Sequence, residues 1–348
     1  MMTFNKFLKK KENNRSFLIA EAGVNHENSF DKAKKMIIDA SKSGADSIKF
    51  QTYKASTLAS KKAMSYWNTK KEKETSQHKL FSKYDKFGYK QYRDLKEICD
   101  NYKIEFSTSI FDYNEIDKYS ELLGYFKVAS ADITNYPLHK KIISHKKPVI
   151  VSTGAASMSE IYELVEYYKK NKTNLTLLHC VLNYPCNEKN ANLLKIEYLK
   201  KTFPEIIIGY SDHIPPVNNN LHLHIANMLG ASVIEKHFTY NKDLEGNDHY
   251  HSFDKDDIIK YRKDEKFISN LISSNYLDIS SQNDAIKNAR RSIVVSCDLN
   301  PGDYINKNNI SIKRPGYGIS PKYIDIILGL RVTKKISNDT PLTWNDFK

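Results

Sequence analysis

Residues 231–239 read ASVIEKHFT. A short apolar, β-branched run, Val233-Ile234, stops abruptly at three polar groups of different chemistry, Glu235, Lys236 and His237. Short continuous apolar runs are the mark of a parallel-sheet strand buried on both faces. A strand that turns polar at its C-terminal end is what α/β barrels present at the rim where ligands bind. Two readings of the polar end stand side by side. Glu235 and Lys236 neutralise each other and His237 is a hydrogen-bonded core histidine, or the three groups line a site.

Working outward, seven further runs share the pattern: FLIA at 17–20, SIKF at 47–50, IEFSTS at 104–109, YFKVAS at 125–130, PVIVST at 148–153, LTLLHC at 175–180 and EIIIGYSDH at 205–213. Amphipathic segments separate them. Ala33, Met36, Ile37 and Ala40 share one helical face, with Ser29 or Asp31 as the cap and Gly44 as the stop. Further helical patterns span about 92–102, 157–169, 191–202 and 217–229. Eight strand–helix units in about 260 residues match a (β/α)8 TIM barrel. A doubly wound open sheet is the alternative, but no GxGxxG turn follows the first run. A lysine-rich insertion spans about 54–90; a loop covering the mouth is one reading of it, and the sequence does not assign its role. The expected division is a barrel over 1–278, a polar linker over 279–288 and a compact, mostly β module over 289–348, marked by Pro-Gly and Pro-Gly-Tyr-Gly turns.

The formal net charge of the 348 residues is +13. The lysines are spread along the whole chain and no nucleic-acid-binding motif accompanies them, so no nucleic-acid partner is expected; the charge suits an anionic small molecule. No run of about 18 apolar residues is present, which excludes a membrane-spanning helix. The basic start MMTFNKFLKKKENN lacks the apolar segment of a signal peptide. The four cysteines show no CxxC spacing. Together these point to a reducing, cytoplasmic location.

Polar residues recur at the ends of nearly all the runs. His213 and His237 end adjacent strands and could share one divalent metal, Mn, Fe, Co or Zn, with positions left open for substrate; one or both could equally be structural. His222, His224, His249 and His251 are further candidates, although His222 and His224, two apart in a helix, face different sides. Lys49, Thr108, Lys127, Ser130, Ser152 and Ser211 combine point charges with neutral donors, as a phosphate plus a carboxylate on one small ligand requires. Glu21 is a candidate general base. Asp248 hangs over the mouth, where it could hold sugar hydroxyls. Arg314, in KRPGYGISP, is either a fold feature or a contact reaching into a barrel mouth.

In combination, AEAGVNH, IKFQT, KVAS, VSTG, GYSDH, GASVIEKHFT and KRPGYGISP resemble the sialic acid (N-acetylneuraminate) synthase family, including the legionaminic and pseudaminic acid synthases. The resemblance runs from about 17 to 345, and the C-terminal module is similar to the SAF, or antifreeze-like, domain of these enzymes. It implies a transferase that condenses phosphoenolpyruvate with an N-acetylated hexosamine, N-acetylmannosamine or a related 2-acetamido aldose, to give a nine-carbon 2-keto sugar acid and phosphate. It implies a divalent metal on His213 and His237, typically manganese, with magnesium or cobalt as substitutes. It implies Glu21 in proton transfer, a phosphoenolpyruvate cradle of Lys49, Thr108, Lys127, Ser130, Ser152 and Ser211, and sugar-side positions at Gln51, Tyr184 and Asp248. Arg314 would reach the sugar's N-acyl group of a second copy in a domain-swapped homodimer. The loop GNDHYHSFD departs from the GPDHxAS form common in neuraminate synthases, and it borders the sugar. The alternatives are a legionaminic- or pseudaminic-acid-type synthase using a diacetamido-trideoxy hexose, a metal-dependent aldolase or isomerase, and a non-catalytic carbohydrate-binding protein.

Overall fold

The computed structural model describes residues 1–9, 15–217, 220–246, 248–272 and 278–347. Each apolar run forms a strand: β1 (Phe17–Gly23), β2 (Ser47–Thr52), β3 (Glu105–Ile110), β4 (Phe126–Val128), β5 (Val149–Ser152), β6 (Leu175–Cys180), β7 (Ile207–Asp212) and β8 (Val233–His237). The strands pair in parallel in the order β3-β2-β1-β8-β7-β6-β5-β4, and β3 and β4 lie side by side at the remaining seam. This is the expected TIM-type barrel. The fourth strand is shorter than the sequence suggests, because Ser130-Ala131-Asp132 turns as a 3-10 helix, leaving Ser130 beyond the strand end.

The helical layer follows its sequence signals. In the helix Phe30–Ser43, Ser29 accepts from the Lys32 backbone N–H, and Ala33, Met36, Ile37 and Ala40 are buried. Gly44, at φ 103°, ends it by donating to the Ala40 and Ser41 carbonyls; only glycine takes this left-handed geometry without strain. The expected helix 217–229 begins at Leu221, and residues 218 and 219 lie outside the described residues. Among the described residues no helix is long and apolar enough to cross a membrane.

Side chains along a strand alternate between the two faces. Odd-numbered positions of β1, β2, β3, β4, β7 and β8 therefore share one face. On that face Phe17, Ile19, Tyr125 and Val233 form an apolar cluster together with Ile150 and Leu178. The short helix Phe4–Lys9 adds Phe4 and Phe7 to this cluster, and the Phe4 backbone N–H donates to Glu105 Oε2 at 2.6 Å. The sequence reading gave this basic N-terminal stretch no structural role. Its two phenylalanines plug the barrel at the strands' N-terminal ends, so the polar part of the interior lies at the other end. Even-numbered positions such as Leu18, Ile48, Phe50, Phe106 and Ile234 pack with the helices. Gly209 falls on the inner face, where a Cβ would lie 2.4 Å from the Val233 carbonyl oxygen and 2.5 Å from Leu178 Cδ2. Its missing side chain sets the close approach of β7 to β8.

The chain divides into two compact units, Met1–Ser273 and Ser274–Lys348. In the second, β9 (Ser292–Val295) and β10 (Ile310–Lys313) form an antiparallel ladder. Its core is Ile293, Val295, Leu299, Ile305, Ile319, Ile327, Val332, Ile336 and Leu342. The rest of this unit is less regular than a mostly β module, with isolated bridges and short helices such as Asn283–Ala289 and Ile324–Ile327. Arg314, just past β10, is exposed.

Candidate active site

The alternation resolves the polar strand ends. Glu235 points into the barrel and Lys236 out of it, so they do not neutralise each other. Lys236 Nζ lies 2.6 Å from Asp212 Oδ2, and both are fully buried. His222 Nε2 is 2.9 Å from the same carboxylate and the Tyr210 hydroxyl donates to its other oxygen at 2.8 Å. Burial opposes the Asp212 charge, but Lys236 and His222 hold its carboxyl well below the usual range. This outward cluster locks β7 to β8 behind the site.

Inside, four buried charges meet. Lys49 Nζ is 2.5 Å from Glu21 Oε2 and 3.8 Å from Glu235 Oε2. Lys127 Nζ is 3.4 Å from Glu235 Oε1 and donates to Ser152 Oγ at 2.8 Å. Ser211 Oγ donates to Glu235 Oε1 at 2.9 Å, and Gln51 Nε2 donates to Glu21 Oε1 at 2.9 Å. Ser130 Oγ accepts from the Gly154 N–H at 2.9 Å. Burial pushes Glu21 up to about 7, helped by Glu235 and opposed by Lys49. Burial also raises Glu235, but Lys127 and Lys49 outweigh it and hold that carboxyl low. Burial lowers Lys127, with Glu235 resisting. The result is a preformed, water-poor cation pair held by two carboxylates, one of which titrates near neutrality.

Thr108 is not part of this group. The register pairs Lys49 with Ser107 and Gln51 with Ser109, so Thr108 faces the helical layer, where its hydroxyl shares a 2.7 Å hydrogen bond with Thr52. Its neighbour Ser109 faces inward and accepts from Lys49 Nζ at 3.3 Å. The expectation for Thr108 is corrected to Ser109 on these grounds.

Beside the cradle stand three imidazoles. The ring centroids of His213 and His237 are 5.3 Å apart, and His251 lies 4.8 Å from His237. His213 Nδ1 sits 2.8 Å from the Val181 carbonyl oxygen. A carbonyl only accepts, so Nδ1 carries a proton; burial lowers His213, but Cys180 and the Val181 carbonyl outweigh it and raise it. His237 Nδ1 is 3.4 Å from Asp248 Oδ2 without the alignment of a hydrogen bond, and both His251 nitrogens are buried without hydrogen-bond partners. Burial holds His237 and His251 well below the ordinary histidine range. Neutral, buried, unpartnered imidazole nitrogens are donors suited to a divalent transition metal. One ligand atom from each of His237, Asp248 and His251 lies within 4.8 Å of the others.

The mouth is walled by the insertion. Tyr66, Trp67, Leu80, Phe81 and Tyr84 line a cavity with Tyr53, Tyr184, Tyr250, Glu72, Gln51, His237 and Asp248. Tyr66 meets the Tyr184 ring edge-on at 5.9 Å, and the Asn68 N–H donates to the Tyr184 carbonyl at 3.3 Å. The Tyr184 ring also lies 4.1 Å from that of His213, tilted by 37°. Of the residues selected from sequence, Glu21, Lys49, Gln51, Lys127, Ser130, Ser152, Tyr184, Ser211, His213, His237 and Asp248 lie at this end of the barrel. Glu235 and Ser109 were given no role in the site, and His251 was named only as a further candidate beside His213 and His237. A period-two count along β8 from His237 would have found Glu235, whereas Ser109 needs the register of β2 with β3.

The chain matches the NeuB family over residues 36–274 and the SAF domain over residues 290–348. An uncharacterized protein of Methanocaldococcus jannaschii is 36% identical over 95% of this chain and 94% of its own. The N,N'-diacetyllegionaminic acid synthase of Campylobacter jejuni is 35% identical over 93% of this chain and 98% of its own. The crystal structure of an N-acetylneuraminic acid synthetase from Leptospira borgpetersenii, 33% identical, superposes with a TM-score of 0.68 over 79% of this chain and 91% of that one.

Proposed function

The chain belongs to the NeuB family, and from that premise we propose that it condenses phosphoenolpyruvate with an N-acetylated, unphosphorylated 2-acetamido aldose to give a nine-carbon 2-keto sugar acid and phosphate. The observation that carries the proposal is the buried Lys49–Lys127 pair beside the imidazole–carboxylate group. An anion cradle and a set of metal donors meet at one barrel end.

The roles we assign combine this geometry with what the family resemblance implies. Lys49 and Lys127, with Ser130, Ser152 and Ser211, hold the phosphate and carboxylate of phosphoenolpyruvate. Gln51 and Tyr184 orient the open-chain sugar. A divalent cation, manganese on our reading, would be held by His213 and His237 and would supply Lewis-acid polarisation of the aldehyde when bound. C3 of phosphoenolpyruvate forms the new carbon–carbon bond to the aldehyde carbon, whose oxygen takes up a proton. Water adds to C2, the bond from C2 to the bridging oxygen breaks, and phosphate leaves. Glu21, with its carboxyl at about 7, accepts the water's proton at neutral pH. Arg314 is assigned to the N-acyl group in the barrel of a second copy, which makes the working unit a domain-swapped homodimer.

The cavity lining favours an unphosphorylated acceptor. Among the described residues its lining has seven aromatic side chains, Tyr53, Tyr66, Trp67, Phe81, Tyr84, Tyr184 and Tyr250, two carboxylates from Glu72 and Asp248, and no lysine or arginine. The same rings suit the methyl groups of a diacetamido-trideoxy hexose, the second reading. The test is phosphate release with phosphoenolpyruvate, manganese and three acceptors: N-acetylmannosamine, its 6-phosphate and a diacetamido-trideoxy hexose. Turnover of the first or third, and not the second, is expected. No phosphate with any of them would remove the synthase reading in favour of an aldolase or isomerase. A carbohydrate-binding function unchanged in His237→Ala and Glu21→Ala would point to a non-catalytic protein.

A further inference from the structure

His251 is the group that the proposed reaction does not use. It is fully buried, and among the described residues neither ring nitrogen has a hydrogen-bond partner. A buried imidazole left this way carries a desolvation cost with nothing to offset it. Its position is built by the backbone. The Phe253 N–H donates to the His237 carbonyl at 2.7 Å and the Thr239 N–H to the Phe253 carbonyl at 2.8 Å. These bonds bring the turn His249–His251 back against the end of β8. His251 Nε2 then lies 3.7 Å from Asp248 Oδ1, while Asp248 Oδ2 lies 3.4 Å from His237 Nδ1. The carboxylate thus stands between two imidazoles, its two oxygens turned to different rings. All three residues present a ligand atom within 4.8 Å of the others.

We propose that His251 is a metal ligand in this chain, completing with His237 and Asp248 a two-histidine, one-carboxylate set beside His213. This rests on the reading of the rim as a metal site and adds to it. The site gains an imidazole and a carboxylate, which selects a transition metal such as manganese, iron, cobalt or zinc over magnesium. Asp248 then serves the cation before it serves sugar hydroxyls. Four protein donors, His213, His237, Asp248 and His251, would still leave positions open on a six-coordinate ion for substrate oxygens.

The test reads metal binding and not turnover. Chelator-stripped protein is titrated with Co2+, followed by its visible absorption, and with Mn2+, followed by electron paramagnetic resonance. The proteins are wild type, His251→Ala and His251→Phe, the last keeping the volume filled. Each variant should bind both ions at least about tenfold more weakly, with a changed cobalt spectrum. Metal-free His251→Phe should melt no lower than the metal-free wild type, because it fills the volume and the removed ring has no hydrogen-bond partner among the described residues; His251→Ala also leaves a cavity and is compared on metal affinity alone. Unchanged affinity in both variants, with wild type binding normally, overturns the role of His251 alone. Wild type binding neither ion would overturn the metal reading of the rim as a whole.

Discussion

Replacing Glu235 by glutamine removes the charge that holds two lysines inside the barrel while keeping the shape. Glu235 lies 3.4 Å from Lys127 Nζ and 3.8 Å from Lys49 Nζ. At an effective dielectric constant of about 20, these attractions amount to about 5 and about 4 kcal/mol. Glutamine still accepts from Ser211, and Lys49 keeps Glu21. Lys127 loses the one ion pair it has among the described residues. Leaving a buried charge uncompensated costs about 3–5 kcal/mol. The cost is capped, because a lysine can give up its proton at pH 7.5, below its ordinary 10.5, for about 4 kcal/mol. The unfolding free energy should therefore fall by about 3–4 kcal/mol, and Tm by roughly 6–12 °C for a chain of this size. The pH dependence has a definite sign. A folded-state lysine held below its unfolded value binds fewer protons than the unfolded chain, so stability rises with pH. The deficit of the variant should shrink as pH climbs toward 10. Phosphoenolpyruvate restores the missing negative charge, so its stabilising shift should be larger in the variant than in wild type. Thermal melts with and without phosphoenolpyruvate from pH 7 to 10 read all three effects. A variant that melts with wild type at pH 7.5, or gains no more than wild type from phosphoenolpyruvate, would refute the reasoning.

Other outcomes follow from the same geometry. Glu21→Gln should lower kcat/KM by about 10²–10⁴. Wild-type kcat/KM should fall as pH drops below about 7, where Glu21 becomes protonated, and the glutamine variant should lose that limb; a pH–rate series on both proteins decides it. Lys236→Met leaves Asp212 buried with His222 and Tyr210 as its remaining side-chain partners, and should cost about 3 kcal/mol by urea unfolding. Because Lys236 points out of the barrel, the folded fraction should keep its metal affinity, and a lost metal site would contradict the assigned face. Gly209→Ala drives a Cβ to 2.4 Å from the Val233 carbonyl; a loss of at least 1–3 kcal/mol is expected from overpacking against backbone, read as a lower Tm.

The barrel was legible because its evidence is redundant. Eight apolar runs each end in polar residues, and a misjudged boundary in one, such as 125–130, leaves the count intact. Individual side chains had no such protection. Glu235 and Lys236 are adjacent in sequence and invite pairing, yet one step along a strand sends them to opposite faces. The same step separates Thr108 from Ser109. Composition alone left the first open and put Thr108 in place of Ser109 in the second; the period of two resolves both. His251 is a different case. It meets His237 only because backbone bonds between 237, 239 and 253 fold the loop back on β8, and no local pattern in GNDHYHSFD encodes that return. Asn247 of this loop lies outside the described residues.

The face on which each charge falls also explains why the interior can bind an anion at all. Glu21 and Glu235 match Lys49 and Lys127 one for one, so the empty cradle is neutral and can be buried without an unpaired ion. A ligand carrying both phosphate and carboxylate would compete with these side chains for the same two lysines. Glu235 is held low by both lysines and stays ionised, keeping them charged and aimed inward. Glu21 already sits near neutrality, so added negative charge beside Lys49 raises it further. On the proposed reading, anion binding therefore brings a proton onto part of the Glu21 population, and that proton must leave again before the carboxylate accepts one from water. Calorimetric titration with phosphoenolpyruvate in buffers of different ionisation enthalpy should show proton uptake near pH 7 that disappears in Glu21→Gln. Uptake that persists in the variant would place the titrating group elsewhere in the cradle.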